Sequence, residues 1–301
     1  LGNHASGKNL LLTMLTHGNE PSGLAAAHRL LSDVHLQKRL KGNIYIVINN
    51  LRAATNYFQT KVAQKKSVCR YFDIDMNRLP KNALKASPDS YELQRLHELY
   101  PIYKIADIGV DIHSFPNKAA PMIIDIKGEE RALDSLSDGI PIPLRITNIA
   151  AVQVGCPIGI FYGGLGNNIP VIEIETGLHK KFSSFQRAAA LIIPILTAAG
   201  FLESECIAYR KVQVIRRAIG VVRFPTISYK LKRSHPAFSV IRAGEVIATG
   251  DGSKIIAPED CSVLFARREI SVCSEQNLQK EVMTLTTRPK RRWRILRVPN
   301  A

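Results

Sequence analysis

Cysteine is sparse in this 301-residue chain and poorly arranged for structural work: Cys69, Cys156, Cys206, Cys261 and Cys273 are scattered, odd in number and include no Cys-x-x-Cys pair. That pattern argues against a disulfide scaffold and a thiolate zinc site, and the thiols read as reduced and mostly buried. Long apolar runs are missing too. None approaches the ~20 residues that cross a bilayer, and the N-terminus lacks the basic-then-apolar pattern of a signal peptide, although Leu1 suggests that the numbering begins inside a longer chain. The expectation is a cytoplasmic protein with no membrane contact. Acidic residues are the third shortage, 25 against 41 basic ones, for a formal charge of +16. Such an excess raises a nucleic-acid or anionic-surface reading. Much of it is local, however. The segment Arg288-Pro-Lys-Arg-Arg-Trp-Arg-Ile-Leu-Arg297 carries six basic residues around the one tryptophan, and without it the charge falls to about +10. No nucleic-acid fold signature accompanies the tail, so it reads as a solvated basic terminus, and a positive exterior would also steer small anions.

What is present is ordinary for a globular protein: 46% hydrophobic and 22% charged residues, in a length that suits one large α/β domain with a smaller one beside it. Strand-like runs fall at Leu10 to Leu15, Ile44 to Asn49, Ile105 to His113, Met122 to Ile126, Ala151 to Val154 and Val171 to Glu175. Helical spacing marks Ser22 to Lys38, Pro88 to Leu99 and Ser184 to Ala199, with Gly200 as a C-cap. This alternation predicts a mainly buried, mixed sheet covered by helices. The polar, Pro-containing stretch 127–143 reads as a surface loop or lid edge. After Gly200 the texture changes to short strands, Val240 to Thr249 and Ser253 to Phe265, with turns at Ala243-Gly244 and Gly250-Asp-Gly252. The expected division is residues 1–203 and a β domain, 204–301.

The chemistry-bearing residues gather where apolar runs end. Thr16-His17-Gly18-Asn19-Glu20-Pro21 sets an imidazole and a carboxylate three residues apart just after the first strand. Both are metal-ligand types. Zinc in hydrolases usually takes three protein ligands and keeps a fourth position for water, which asks for a third ligand downstream; His113, at the end of Ile105-Ala-Asp-Ile-Gly-Val-Asp111-Ile-His113-Ser114, is the best candidate. Asp111, two residues earlier, shares its side of the strand and can orient the imidazole. Cys69-Arg70-Tyr71-Phe72-Asp73-Ile74-Asp75-Met76-Asn77-Arg78-Leu79 supplies two guanidinium groups and an amide suited to a carboxylate or a developing oxyanion, or else a solvated salt-bridge face on a strand edge. In Val171-Ile-Glu173-Ile-Glu175-Thr-Gly177 two carboxylates share one strand face. Glu175, nearest the turn, is the better general base, and Glu173 reads as a structural carboxylate with a basic neighbour. The remaining histidines, His4, His28, His35, His97, His179 and His235, lack partners at ligand spacing and read as surface or capping residues.

The order His-Gly-Asn-Glu-Pro, Arg-Tyr-Phe-Asp-Ile-Asp-Met-Asn-Arg, Asp-Ile-His-Ser, Glu-Thr-Gly resembles the succinylglutamate desuccinylase and aspartoacylase family, relatives of the zinc carboxypeptidases. Ser234-His235-Pro236-Ala237-Phe238 and Arg242-Ala-Gly244-Glu-Val-Ile look like the family's small β domain. The resemblance implies a zinc-carboxypeptidase-like mixed sheet flanked by helices, with a smaller C-terminal β domain. It implies one Zn2+ per chain, held by His17, Glu20 and His113; Arg70 as the group that polarises the scissile carbonyl; Asn77 and Arg78 on the substrate's carboxylate; and Glu175 as general base. The implied reaction is hydrolysis of the amide of a small, anionic N-acyl amino acid. A carboxypeptidase acting on a peptide C-terminus is the alternative, a non-catalytic basic binding relative is a third, and self-association into a homo-oligomer stays open.

One stretch departs from the family pattern. Members of the aspartoacylase type are expected to carry a Tyr and an Arg just before Glu-x-Gly to grip an acidic side chain, and Ile160-Phe161-Tyr162-Gly163-Gly164-Leu165-Gly166-Asn167-Asn168 offers no cation. Arg145 is another source of one, although its setting reads as surface. No C-terminal tyrosine accompanies Phe265-Ala-Arg-Arg.

Overall fold

The computed structural model describes residues 1, 7–61, 69–116, 120–203, 206–266 and 281–299, with the side chains of 206–212 and 291–299 outside the description. His4 and Cys273 therefore lie outside the described residues, as do the side chains of Cys206 and of the tail from residue 291, Trp293 among them. In chain order the elements of the first part are β1 (Asn9–Met14), α1 (Gly23–Ser32), α2 (Val34–Lys38), β2 (Asn43–Ile48), α3 (Leu51–Gln59), a 3-10 turn at Met76–Arg78, α4 (Tyr91–Tyr103), β3 (Ile108–Phe115), β4 (Met122–Lys127), α5 (Glu130–Asp138), β5 (Leu144–Thr147), α6 (Ile149–Val152), a 3-10 turn at Ile158–Phe161, β6 (Val171–Leu178) and α7 (Phe182–Ala198). The elements after them are β7 (Cys206–Arg223), β8 (Lys230–Leu231), β9 (Val240–Ile241), β10 (Val246–Gly250), β11 (Ser253–Ile256), β12 (Cys261–Ala266), β13 (Glu281–Thr287) and β14 (Lys290–Pro299). Two compact units result. One is built on Leu1–Arg145 and Gly155–Gln213 with strand residues from Arg292, the other on Ile146–Val154 and Val214–Arg291.

In the first unit the strand order is β2-β1-β3-β6-β4, with β1, β2, β3 and β6 parallel and β4 antiparallel to β6. This is the expected mixed sheet flanked by helices. The period of two in a strand divides its labour. Leu10, Leu12, Met14, Val110, Ile112, Ile172 and Ile174 join one apolar cluster with Ala26 and Leu30 of α1, Leu133 and Leu136 of α5, and Leu191 and Ile195 of α7; each such side chain contributes roughly 1.5–3 kcal/mol on leaving water. The intervening positions carry polar groups, and the register sets Thr13 beside Asp111, Asp111 beside Glu173, and His113 beside Glu175.

Several elements differ from the sequence expectation for identifiable reasons. The helix expected over Ser22 to Lys38 is two helices, because Asp33 leaves the helical backbone (φ −100°, ψ 89°) and its carboxylate caps Leu36 N at 2.9 Å. The loop expected at 127–143 contains α5. Leu133 and Leu136, three apart, face the core while the outer face is polar, and the prolines that suggested a loop, Pro141 and Pro143, follow the helix rather than interrupt it. The strand expected at Ala151 to Val154 is the one-turn helix α6, a short apolar run whose periodicity fits either state. Segment 69–79 is a loop ending in a 3-10 turn, not a strand edge. Neither α3 nor β5 was anticipated.

In the second unit, β13 pairs antiparallel with β7 and with β12, β12 with β9, and β10 with β8 and β11. Val222, Phe224, Ile241, Ile247, Val263, Val282 and Leu285 form its core. The two long strands expected there are each broken, the first at the Ala243-Gly244 turn, where Gly244 has φ +77°, the second between Ile256 and Cys261. No described helix is long and apolar enough to cross a membrane.

Candidate functional site

The site grows from the carboxyl ends of β1, β3 and β6, where side chains of open α/β sheets converge. After β1 the chain makes a tight turn in which Glu20 N donates to His17 O at 3.0 Å, folding the Glu20 carboxylate back over the imidazole. Gly18 inside that turn has no room for a side chain, since a Cβ would lie 2.2 Å from the Ala53 carbonyl carbon. His113, near the end of β3, arrives from the other side with its Nδ1 2.9 Å from Glu20 Oε2, and Ser114 N donates to the same oxygen at 3.1 Å. His17 Nδ1 stands 2.9 Å from Glu20 Oε1.

Each imidazole is backed by a second carboxylate. His113 Nε2 lies 2.9 Å from Asp111 Oδ2, as the strand spacing anticipated, and His17 Nε2 lies 3.0 Å from Asp75 Oδ1, which was not anticipated. Asp111 is held in turn by the Thr16 hydroxyl at 2.7 Å. These contacts turn both Nδ1 atoms toward Glu20, with ring centroids 5.2 Å apart. The donor atoms of His17, Glu20 and His113 lie within 4.8 Å of one another, and all three residues are buried. Burial opposes charge on Glu20, but His17 and His113 hold its carboxyl well below the usual range; burial likewise opposes charge on Asp75, and Arg70 and His17 hold that carboxyl low. Burial would lower His113, yet Asp111 and Glu20 raise it well above an ordinary imidazole. The His17 Nδ1 atom is buried with no hydrogen bond despite its closeness to Glu20, so two nitrogens and a carboxylate point at a common centre with one lone pair unused. That donor set fits a divalent cation of the zinc type, and its binding would displace the proton shared by His113 and Glu20.

Arg70 is the cation of the site. Its Nη1 donates to Glu20 Oε1 at 2.9 Å and its Nε to Asp75 Oδ2 at 3.3 Å, and its side chain keeps 31% of its surface exposed. Glu175 lies opposite His113 in the β3–β6 register and is buried. Its Oε2 has no hydrogen-bond partner. Burial, reinforced by the charges of Glu20 and Glu173, pushes its carboxyl up to about 8. A buried carboxyl with a raised pKa and one oxygen unsatisfied is a candidate proton-transfer group.

The other predicted residues are placed differently. Asn77 is buried, donates Nδ2 to Glu173 Oε1 at 3.1 Å and accepts from Ile158 N at 3.1 Å, so its amide ties the loop to the sheet. Glu173 thus has an amide partner, beside the basic neighbours His113, His17 and Arg78 whose charges oppose the effect of burial on its carboxyl. Arg78 donates to the Asn77 carbonyl at 2.7 Å. Arg145, expected on the surface, is 2% exposed and locked by Asp125, at 2.7 Å from Nη2, and by Asp134, which removes it as a source of a substrate-binding cation. Tyr162 is buried with its hydroxyl on Thr13 and Asn49, at 2.9 and 3.0 Å, so it does not face a substrate. His179, read as a surface residue, is buried with Nδ1 2.8 Å from Ser114 Oγ; its Nε2 has no partner, and burial pushes its pKa down to about 4. His235 is also buried, whereas His28 and His35 are exposed. Asp75 and His179 were missed because only the fold shows which carboxylate stands behind His17 and which imidazole reaches Ser114.

Fold and site together define an α/β protein with a two-histidine, one-carboxylate candidate metal centre at parallel strand ends. Residues 6–133 match the sequence model of the succinylglutamate desuccinylase/aspartoacylase catalytic domain, and this matched part carries His17, Glu20, Arg70 and His113. Among solved structures the chain is similar to murine aminoacylase 3, at 18% identity and a TM-score of 0.62, covering 99% of this chain and 100% of that one. It is also similar to succinylglutamate desuccinylase from Vibrio cholerae, at 14% identity and a TM-score of 0.71 over 97% of this chain and 86% of the other. A third likeness, at 15% identity and a TM-score of 0.64, is to the product-bound ectoine utilization protein EutE (DoeB) of Ruegeria pomeroyi, covering 94% of this chain and 86% of that one. At these identities the likeness concerns the fold. No curated protein sequence matches.

Proposed function

We propose that the chain is a zinc-dependent hydrolase of the amide bond in small N-acyl amino acids, with the reaction carried by residues 1–203 and the β domain, 204–301, as an accessory module. The observation that supports this most is the convergence of His17, Glu20 and His113 on one centre with Arg70 and an unpartnered Glu175 carboxyl around it. His17, Glu20 and His113 would hold the zinc, which when bound acts as a Lewis acid toward water and the substrate carbonyl. Arg70 swings its guanidinium from Glu20 to the oxygen on which negative charge develops. Glu175 accepts a proton from the attacking water and delivers it to the departing amide nitrogen, so that the acid and the free amine leave as separate products. Arg78 takes the substrate's carboxylate, with Asn77 fixing the turn from which it projects. The missing cation in 160–168 and the locked Arg145 argue for an acyl-amino acid side chain that is not gripped as an anion.

The test is metal analysis of the purified chain together with a panel of N-acetyl and N-succinyl amino acids and short peptides, scored by released amine. About one zinc per chain and turnover of N-acyl amino acids support the proposal. Zinc binding with turnover of peptides alone moves the assignment to a carboxypeptidase, and absence of zinc after supplementation overturns both.

A further inference from the structure

Glu92 sits in the first turn of α4 with 0% of its surface exposed, outside every set of residues considered above. Its carboxylate gathers four donors. Oε1 accepts from Phe72 N at 2.6 Å and from Asn50 Nδ2 at 2.9 Å, while Oε2 accepts from Asp73 N and Ile74 N, both at 3.0 Å. The tie runs both ways, since Asp73 Oδ2 accepts from Tyr91 N at 2.7 Å. On the outside of the same turn the Arg52 guanidinium lies 3.5 Å from the centre of the Phe72 ring and 5.7 Å from that of Tyr91.

We infer that Glu92 is a positioning residue that anchors the site loop, setting where Arg70 and Asp75 stand relative to Glu20 and His17. Three consecutive backbone N–H groups of a segment without regular structure have no ladder of their own, and a buried anion satisfies all three with bonds stronger than neutral ones. Arg70 lies two residues before the anchored triplet and Asp75 one residue after it, so the two side chains that reach the candidate metal centre flank the anchor directly. Asn50 adds the end of β2 to the same point: its Oδ1 caps α3 through Ala53 N while its Nδ2 holds Glu92. The significance of the loop rests on the proposed function, whereas the anchor itself does not.

Hydrogen exchange on the full-length, metal-free chain tests the anchor, and zinc affinity by chelator competition tests its reach. Glu92→Gln keeps the shape but sets an NH2 group against backbone N–H donors. Amides 72–74 are expected to exchange at least ~10-fold faster, with β1, β3 and β6 unchanged, and zinc affinity to fall about 10-fold. In an Asp75→Asn background the same substitution should change zinc affinity less than about 2-fold, because both act through one path. Asn50→Ser keeps the helix cap but removes one donor, and should show a smaller change in the same direction; it decides the matter if Glu92→Gln does not fold. Unchanged exchange at 72–74 in a folded variant, exchange that rises equally in the strands, or a zinc effect additive with Asp75→Asn would each overturn the inference. A wild-type chain that binds no zinc rejects the proposed function instead, and exchange alone then decides the anchor.

Discussion

At the scale of single residues the site is a balance of charges that the surrounding fold does not neutralise. Arg70 touches Glu20 and Asp75 without being locked as Arg145 is, and the proposed function makes it the oxyanion partner. Arg70→Ala is therefore expected to lower kcat by about 10²–10³ with KM little changed, and Arg70→Lys to restore only part of it, since a point charge replaces a planar fork; steady-state kinetics checks both. Glu175 gives a second prediction through its raised pKa. A carboxyl held at about 8 in the folded chain binds its proton more tightly than the unfolded chain does. Its stabilising share is therefore complete below the ordinary carboxylate pKa and lost as pH rises toward about 8. In metal-free protein Glu175→Gln should accordingly add several kcal/mol (~1.4 kcal/mol for each pKa unit) to stability at pH 8.5 and almost nothing at pH 4, as read from denaturant unfolding at the two pH values. The sequence made the metal-ligand types legible, because His17, Glu20 and His113 stand where short apolar runs end. It left Asp75 and His179 obscure, because a carboxylate behind an imidazole 58 positions away is a property of the folded chain. Arg145 was misread for the same reason: its two aspartates, Asp125 and Asp134, precede it by 20 and 11 positions, a separation no local pattern reports.

At the scale of elements, legibility followed burial. Strands sunk in the sheet, β1, β3, β4 and β6, announce themselves as apolar runs, and their ends miss by only a few residues. Elements with one wet face are harder to see. The α5 helix hides two core leucines among Glu, Arg, Ser and Asp, and its test is direct. Leu136→Ala should cost 2–5 kcal/mol, the range for a large-to-small change in a packed core, whereas a surface loop would lose less than about 0.5 kcal/mol; chemical denaturation distinguishes the two. The Met76–Arg78 turn shows the opposite difficulty. Its Asp, Asn and Arg residues look like a solvated charge cluster, but Asn77 spends both ends of its amide on Glu173 and Ile158.

At the scale of the whole molecule the fold was legible, and so was the likeness to the family model matched by residues 6–133, since four short motifs in fixed order constrain one another more than any one of them does. The run of short strands after Gly200 was legible as texture, but the strand limits were not, because strands of two to five residues give too little pattern to bound. The net charge of +16 carries a prediction of its own. For an anionic acyl-amino acid, kcat/KM should fall several-fold between 20 and 300 mM salt, with the loss confined to the association step. A neutral substrate such as the corresponding amide should show almost no dependence.

The alternation along β6 makes the sheet an indivisible carrier of both stability and chemistry. Ile172 and Ile174 belong to the apolar layer while Glu173 and Glu175 face the imidazoles, so deleting one residue upstream of Val171 would exchange the two sets wholesale. Carboxylates would enter the layer of leucines and isoleucines, and methyl groups would confront the imidazoles. Divergence by length change is thereby excluded from the strands and confined to the connections between them, which makes those connections the place where relatives of this chain are free to acquire different substrates.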